Sequence, residues 1–200
     1  MTVQTEQRRR RRLLHVGALT AAIVPLTVAG AFAATSRPVG ISDAANDVSG
    51  PLDLMRVALH RSSDGHLRAV LTFVGTISPQ ALLASSGPPG SACLRIWTDP
   101  AADPSAMRPD RLVCVTARSE DELRGGVYQQ RGAGLPRRVA SPQVRANASR
   151  RAFVIRISQS SLGRPATIRF AGETTRAGCD STACIDTAPD AGRVRSFRLR

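Results

Sequence analysis

The chain contains no lysine: every one of its 28 basic residues is arginine, set against 15 acidic residues for a formal net charge of +13. That absence removes Schiff-base chemistry and the lysine general base of a Ser–Lys hydrolase. Histidine is almost as scarce, with only His15, His60 and His66. His60 and His66 flank Arg61-Ser62-Ser63-Asp64-Gly65, a hairpin turn by composition, so both are expected at the surface and not as a buried general base. No GxSxG, HExxH or P-loop pattern occurs. The commonest hydrolytic mechanisms are therefore excluded, and a carboxylate pair is the catalytic device left open.

Aromatic residues are few. Beyond residue 33 they are Phe73, Trp97, Tyr128, Phe153, Phe170 and Phe197. A nucleic-acid surface clusters basic residues and interleaves them with stacking aromatics. Here the arginines are dispersed and alternate with apolar residues, as in Arg193-Val194-Arg195 and Phe197-Arg198-Leu199-Arg200. Their exclusive use, beside abundant alanine, glycine and proline, reads as the composition of a GC-rich bacterial genome. No specific nucleic-acid partner is predicted. The charge by itself gives a weak, salt-sensitive attraction to anionic polymers such as cell-wall or surface polysaccharides.

Long apolar runs are also lacking, with one exception. Arg8 to Arg12 form a cationic block, Leu13 to Ala34 are apolar, and Ala31-Phe32-Ala33 has small-x-small spacing. This is the order of a secretion signal, so residues 1–33 are expected to be a signal peptide cleaved after Ala33. Pro25 and Gly30 interrupt the run as a helix. The alternative is an uncleaved N-terminal anchor with the arginines inside and the domain outside. Either way the domain is exported, and after cleavage no membrane contact is expected.

What remains reads as residues 34–51, an entry segment, and residues 52–200, a single all-β domain. Strands are predicted at Leu52–His60, Leu67–Val74, Ala92–Thr98 and Arg111–Ala117. Shorter ones follow at Gly126–Arg131, Arg137–Ser141 and Gln143–Ala146, then Ala152–Ile157, Ala166–Ala171 and Val194–Leu199. Leu67, Ala69, Leu71 and Phe73 alternate with Arg68, Val70 and Thr72, the period of a half-buried strand. Ser78-Pro79 predicts a short helical turn over Gln80–Ser85. About eight to ten short strands with frequent turn signals predict an antiparallel, jelly-roll-like β-sandwich.

The four cysteines are Cys93, Cys114, Cys179 and Cys184. An even count in an exported domain predicts two disulfides. Cys93 and Cys114 lie on strands expected to pair, so Cys93–Cys114 and Cys179–Cys184 is the favoured connectivity. The spacing is not that of a zinc site.

Acidic residues form two clusters. Asp43, Asp47 and Asp53 precede the first strand in a loop with Asn46, and hard oxygen ligands on such a loop suit Ca²⁺. Asp180, Asp186 and Asp190 lie in and after the second cysteine loop and read as ordinary turn residues. Substitution of Asp186 is expected to leave calcium binding untouched. Asp99, Asp103 and Asp110 lie between two strands and are the candidates for a hydrolase pair. The segment Asn147-Ala148-Ser149 fits a glycosylation sequon, without meaning in a bacterial protein.

Asp43-Ala44-Ala45-Asn46-Asp47 followed by Asp53 resembles the D-x-x-G-D opening of exported bacterial β-sandwiches of the carbohydrate-binding and DOMON-like kind, with Asn46 in place of the glycine. The turn Ser160-Ser161-Leu162-Gly163-Arg164-Pro165 is similar to that architecture too. The resemblance implies a sandwich holding a structural Ca²⁺ and binding a glycan or cofactor. Trp97 and Tyr128 are then the aromatics able to face a sugar. The reading is an exported, non-catalytic binding or structural module. The alternative is a small secreted hydrolase with a carboxylate pair. Ligand and oligomeric state are not written in the sequence.

Overall fold

The computed structural model describes residues 37–105, 108–132, 134–190 and 193–200. The expected signal segment and its cleavage site at Ala33 lie outside these residues. Among the described residues, no helix is long and apolar enough to cross a membrane.

Two antiparallel sheets stack face to face. The first holds β1 (Val39–Ser42), β2 (Leu54–Arg61), β3 (His66–Phe73), β8 (Gln143–Asn147) and β9 (Ala152–Ser158), in the order β1-β2-β3-β9-β8. The second holds β4 (Ser91–Trp97), β5 (Arg111–Ala117), β6 (Leu123–Arg131), β7 (Gly134–Ala140), β10 (Thr167–Thr175), β11 (Ile185–Ala188) and β12 (Arg195–Arg198). Its order is β11-β10-β4-β5-β6-β7, with β12 also paired to β10. The all-β sandwich expected from the sequence is thus present. Strands from the two halves of the chain interleave where β3 pairs with β9 and β4 with β10, while β4 to β7 follow one another as a meander.

Strand alternation explains the layers. Leu67, Ala69, Leu71 and Phe73 of β3 are fully buried, while the residues between them are half-buried. Phe153, Ile155 and Ile157 of β9 and Leu94, Ile96, Val113 and Val115 of β4 and β5 complete the core. Phe73 and Phe153 meet edge to face with centroids 5.3 Å apart. Each such large apolar side chain contributes roughly 1.5–3 kcal/mol on burial.

The two sheets approach closely at Gly172 of β10. A Cβ there would stand 2.4 Å from Cγ2 of Val57 and 2.5 Å from Cδ2 of Leu54. Only glycine lets β2 lie against β10. Two hydrogen bonds fasten the same corner. The Thr174 hydroxyl donates to the Leu52 carbonyl at 2.7 Å, and the Leu54 N–H donates to Oδ2 of Asp186 at 2.6 Å.

Several boundaries differ from the sequence reading. The segment read as a mere lead-in supplies β1, which pairs with β2 from Val39↔Leu59 to Ser42↔Arg56 and belongs to the domain. Among the described residues there are twelve strands and not eight to ten, because β1 and β11 are four residues each and carry no alternation long enough to read. The helical turn is a single 3₁₀ turn at Pro79–Leu82, begun at Ser78 with the proline at its start.

Candidate metal centre

The acidic site sits at the corner just described. Asp43 follows β1, whose last turn of pairing is closed by the Asp43 N–H donating to the Met55 carbonyl at 2.9 Å. Asp47 lies in the loop to β2, where Asn46 takes a positive φ of 66°. Asparagine tolerates that left-handed conformation better than most residues. The bend brings the Asn46 N–H to Oδ2 of Asp53 at 2.7 Å. Asp186 comes from β11 on the other sheet, opposite Thr174, and is 2% exposed.

Carboxylate oxygens of Asp43, Asp47 and Asp186 all lie within 4.8 Å of one another. Oxygens bound to one Ca²⁺ at about 2.3–2.6 Å stand at most about 5 Å apart, so this spacing suits a single ion. The trio differs from the set named by the sequence. Asp186 replaces Asp53, which stands beside the trio and ties down Asn46. The supposedly separate second cluster therefore contributes a ligand to the first, since β11 folds back along β10 and delivers Asp186 to the loop before β2. Asp190 also acts electrostatically on Asp43. The four-residue β11, with Asp186 and Ala188 on its buried side, was the only sequence signal for this, and it is too short to stand out.

The electrostatics are unfavourable without a cation. Burial, reinforced by Asp190, Asp186 and Asp47, pushes the Asp43 carboxyl up to about 6. Burial likewise pushes Asp186 up to about 6, against the lowering effect of the Leu54 N–H, with Asp47 and Asp53 adding to the rise. Among the described residues, no arginine forms an ion pair with these carboxylates. Arg176 is close, but its guanidinium donates to Ser49 Oγ at 3.1 Å and faces the sulfurs of Cys179 and Cys184. Oδ2 of Asp43 and Oδ1 of Asp53 are buried with no hydrogen-bond partner. Asp53 as a whole is 3% exposed. Orphaned buried oxygens beside an all-oxygen donor set fit a hard divalent cation.

The other candidates are placed as follows. Cys93 and Cys114 are direct cross-strand partners, bonded with a Cα–Cα distance of 4.0 Å, and Cys179–Cys184 is bonded at 6.0 Å. Both disulfides belong to an oxidising, extracytoplasmic setting. Trp97 is 2% exposed, covered with Ala102, Ala171 and Val194 on the outer side of the second sheet. The Arg95 guanidinium lies 5.2 Å from its ring centre. Tyr128 is half-buried, its ring folded over Gly126 of its own strand. Asp110 accepts from the N–H and hydroxyl of Thr98 at 2.7 and 2.8 Å. Asp99 and Asp103 accept from the N–H groups of Ala101 and Ser105 at 2.8 and 3.0 Å. Each of these three carboxylates is engaged in shaping its own loop. The chain matches no family model, no curated protein and no solved structure.

Proposed function

We propose that this protein is an exported, non-catalytic binding or structural module that holds one Ca²⁺ as part of its fold. The observation that carries the reading is the convergence of Asp43, Asp47 and Asp186, from two different sheets, with no ion-paired arginine among the described residues. Asp43 and Asp47 flank the entry to β2, and Asp186 belongs to the edge of the opposite sheet. A cation there ties the first sheet to the second. Two disulfides support an oxidising location, and kinship with carbohydrate-binding and DOMON-like sandwiches rests on the Asp43–Leu54 opening and the Ser160–Pro165 turn.

The ion's contribution is stability, not chemistry. Binding to the folded state only raises stability by RT ln(1 + [L]/Kd), about 2.7 kcal/mol at a hundredfold Kd. Extracellular modules hold Ca²⁺ with Kd of about 10⁻⁴–10⁻³ M. Isothermal titration with CaCl₂ after chelator treatment tests the reading. One site per chain is expected, lost in Asp47→Asn and in Asp186→Asn and kept in Asp180→Asn. An isotherm with no heat beyond dilution, together with a melting curve indifferent to calcium and chelator, would overturn it.

A further inference from the structure

On the outer face of the first sheet, far in chemistry from the acidic corner, lies a basic groove. A depression of about 560 Å³ is lined by Arg61, Arg68, Arg145 and Arg156 together with His60 and His66, and no acidic residue lines it. The register explains the clustering. His60, Arg68 and Arg156 are direct neighbours across β2, β3 and β9, with Gln143 of β8 next in the row. Strands spaced about 4.8 Å apart set these side chains along a line of roughly 14 Å. The adjoining row is small and apolar, running Gly40, Ala58, Val70, Val154 before reaching Arg145. Long cationic side chains thus stand over a low floor.

The groove continues. A second depression of about 470 Å³ shares His66 and adds Ser158, Ser160, Arg164 and Arg200. A third, of about 210 Å³, shares His66, Gln143 and Arg156 and is also lined by Val127, Ala140, Ser141 and Pro142, of the second sheet and the turn that leaves it. The result is a track and not a single cup. Nε of Arg68 is buried in it without a hydrogen-bond partner. Asp64 also lines the second depression and holds Arg156 at 2.5 Å.

From this we infer that the track binds an extended, carboxylate-bearing polysaccharide. The inference rests on the reading of the chain as an exported binding module, and not on its cation. Guanidinium groups recognise carboxylates through paired N–H donors, and the serines and Gln143 offer partners for sugar hydroxyls. Its only ring side chains are His60 and His66, and it has no Phe, Tyr or Trp to serve as a base-stacking platform. It also has no exposed large apolar side chain to enter a lipid surface. The arrangement therefore favours a polyanionic glycan over single-stranded nucleic acid or a membrane. Asp64 occupies Arg156 in the free protein and is displaced by the ligand's carboxylate.

The probe is polygalacturonate, titrated against the full chain in 150 mM salt with chelator present, so that calcium plays no part. Binding is expected, about tenfold weaker in Arg68→Gln/Arg145→Gln and about threefold tighter in Asp64→Asn. Arg195→Gln/Arg198→Gln removes two exposed charges from the other sheet and is expected to change nothing. Equal loss in both double variants would reduce the effect to net charge and overturn the inference. So would the absence of binding, or tighter binding to oligo-dT or to anionic vesicles. Asp64→Asn keeps the test decisive should the arginine pair fail to fold. The calcium isotherm of the parent is read separately: intact calcium binding with no polygalacturonate binding by the parent rejects the groove and leaves the cation site standing.

Discussion

The acidic corner and the basic face each gather charge of one sign, and they do so in opposite surroundings. At the corner, Asp186 and Asp53 are almost fully buried and two carboxylate oxygens have no partner. On the face, Arg145 and Arg156 are exposed and water screens their mutual repulsion. Like charge inside is a folding cost that persists until a counter-ion arrives, because low dielectric both strengthens repulsion and penalises ionisation. Like charge outside costs little and waits for a ligand. The difference assigns the two regions different observables: stability for the corner, affinity for the face.

The strongest way to break the contrast is mechanical. Gly172→Val places atoms where Val57 and Leu54 already lie, and is expected to destabilise by about 3 kcal/mol by overpacking. Chemical denaturation measures the loss, and the calcium response should disappear with it. A variant of ordinary stability would mean the corner is not tightly closed. Removing calcium comes next. A chelator should lower the thermal midpoint in proportion to the lost binding, by about 2.7 kcal/mol from a hundredfold Kd.

Asp186→Ala sharpens the account further, since it also leaves the Leu54 N–H buried without an acceptor. A cost of about 1–3 kcal/mol is expected in chelator, whereas Asp47→Asn under the same conditions should melt no lower than the parent. A large loss in Asp47→Asn would contradict the repulsion at the empty site.

The pH dependence follows from the raised carboxyls. Burial pushes the Asp43 and Asp186 carboxyls up to about 6 in the folded protein, from an ordinary 3.8. The folded state then binds more protons than the unfolded one, so chelated protein should lose stability as pH rises from about 4 to about 6. Saturating calcium should flatten that slope, which denaturation at several pH values reads directly. The smallest effect belongs to the face. Arg145→Gln should stay within about 0.5 kcal/mol of the parent, and a larger change would mean that the face is structural after all.

Much of this was legible before folding. The alternation of β3 named its core residues, and the pairing of the Cys93 and Cys114 strands followed from the loop between them. Asp43 and Asp47 were visible because they are local. Asp186 was not, because its partnership with Leu54 spans 132 positions and depends on how β11 returns along β10. Trp97 was ambiguous for a similar reason: only the fold shows that Ala102, Ala171 and Val194 cover it. The basic face was hidden by the very dispersion that argued against a patch, for arginines scattered in sequence become neighbours across β3, β9 and β8.

Strand β7, at the edge of the second sheet among the described residues, has a consequence for crowding. It exposes Leu135 at 91% and Val139 at 42%, the sort of strand on which a second chain could grow a sheet. Pro136 has no amide hydrogen to offer, the pairing with β6 slips between Gln129 and Arg131, and Arg137 carries an exposed charge. Each feature spoils the template, so concentrated protein should resist fibril growth, and replacing Pro136 with valine should be the quickest route to aggregates.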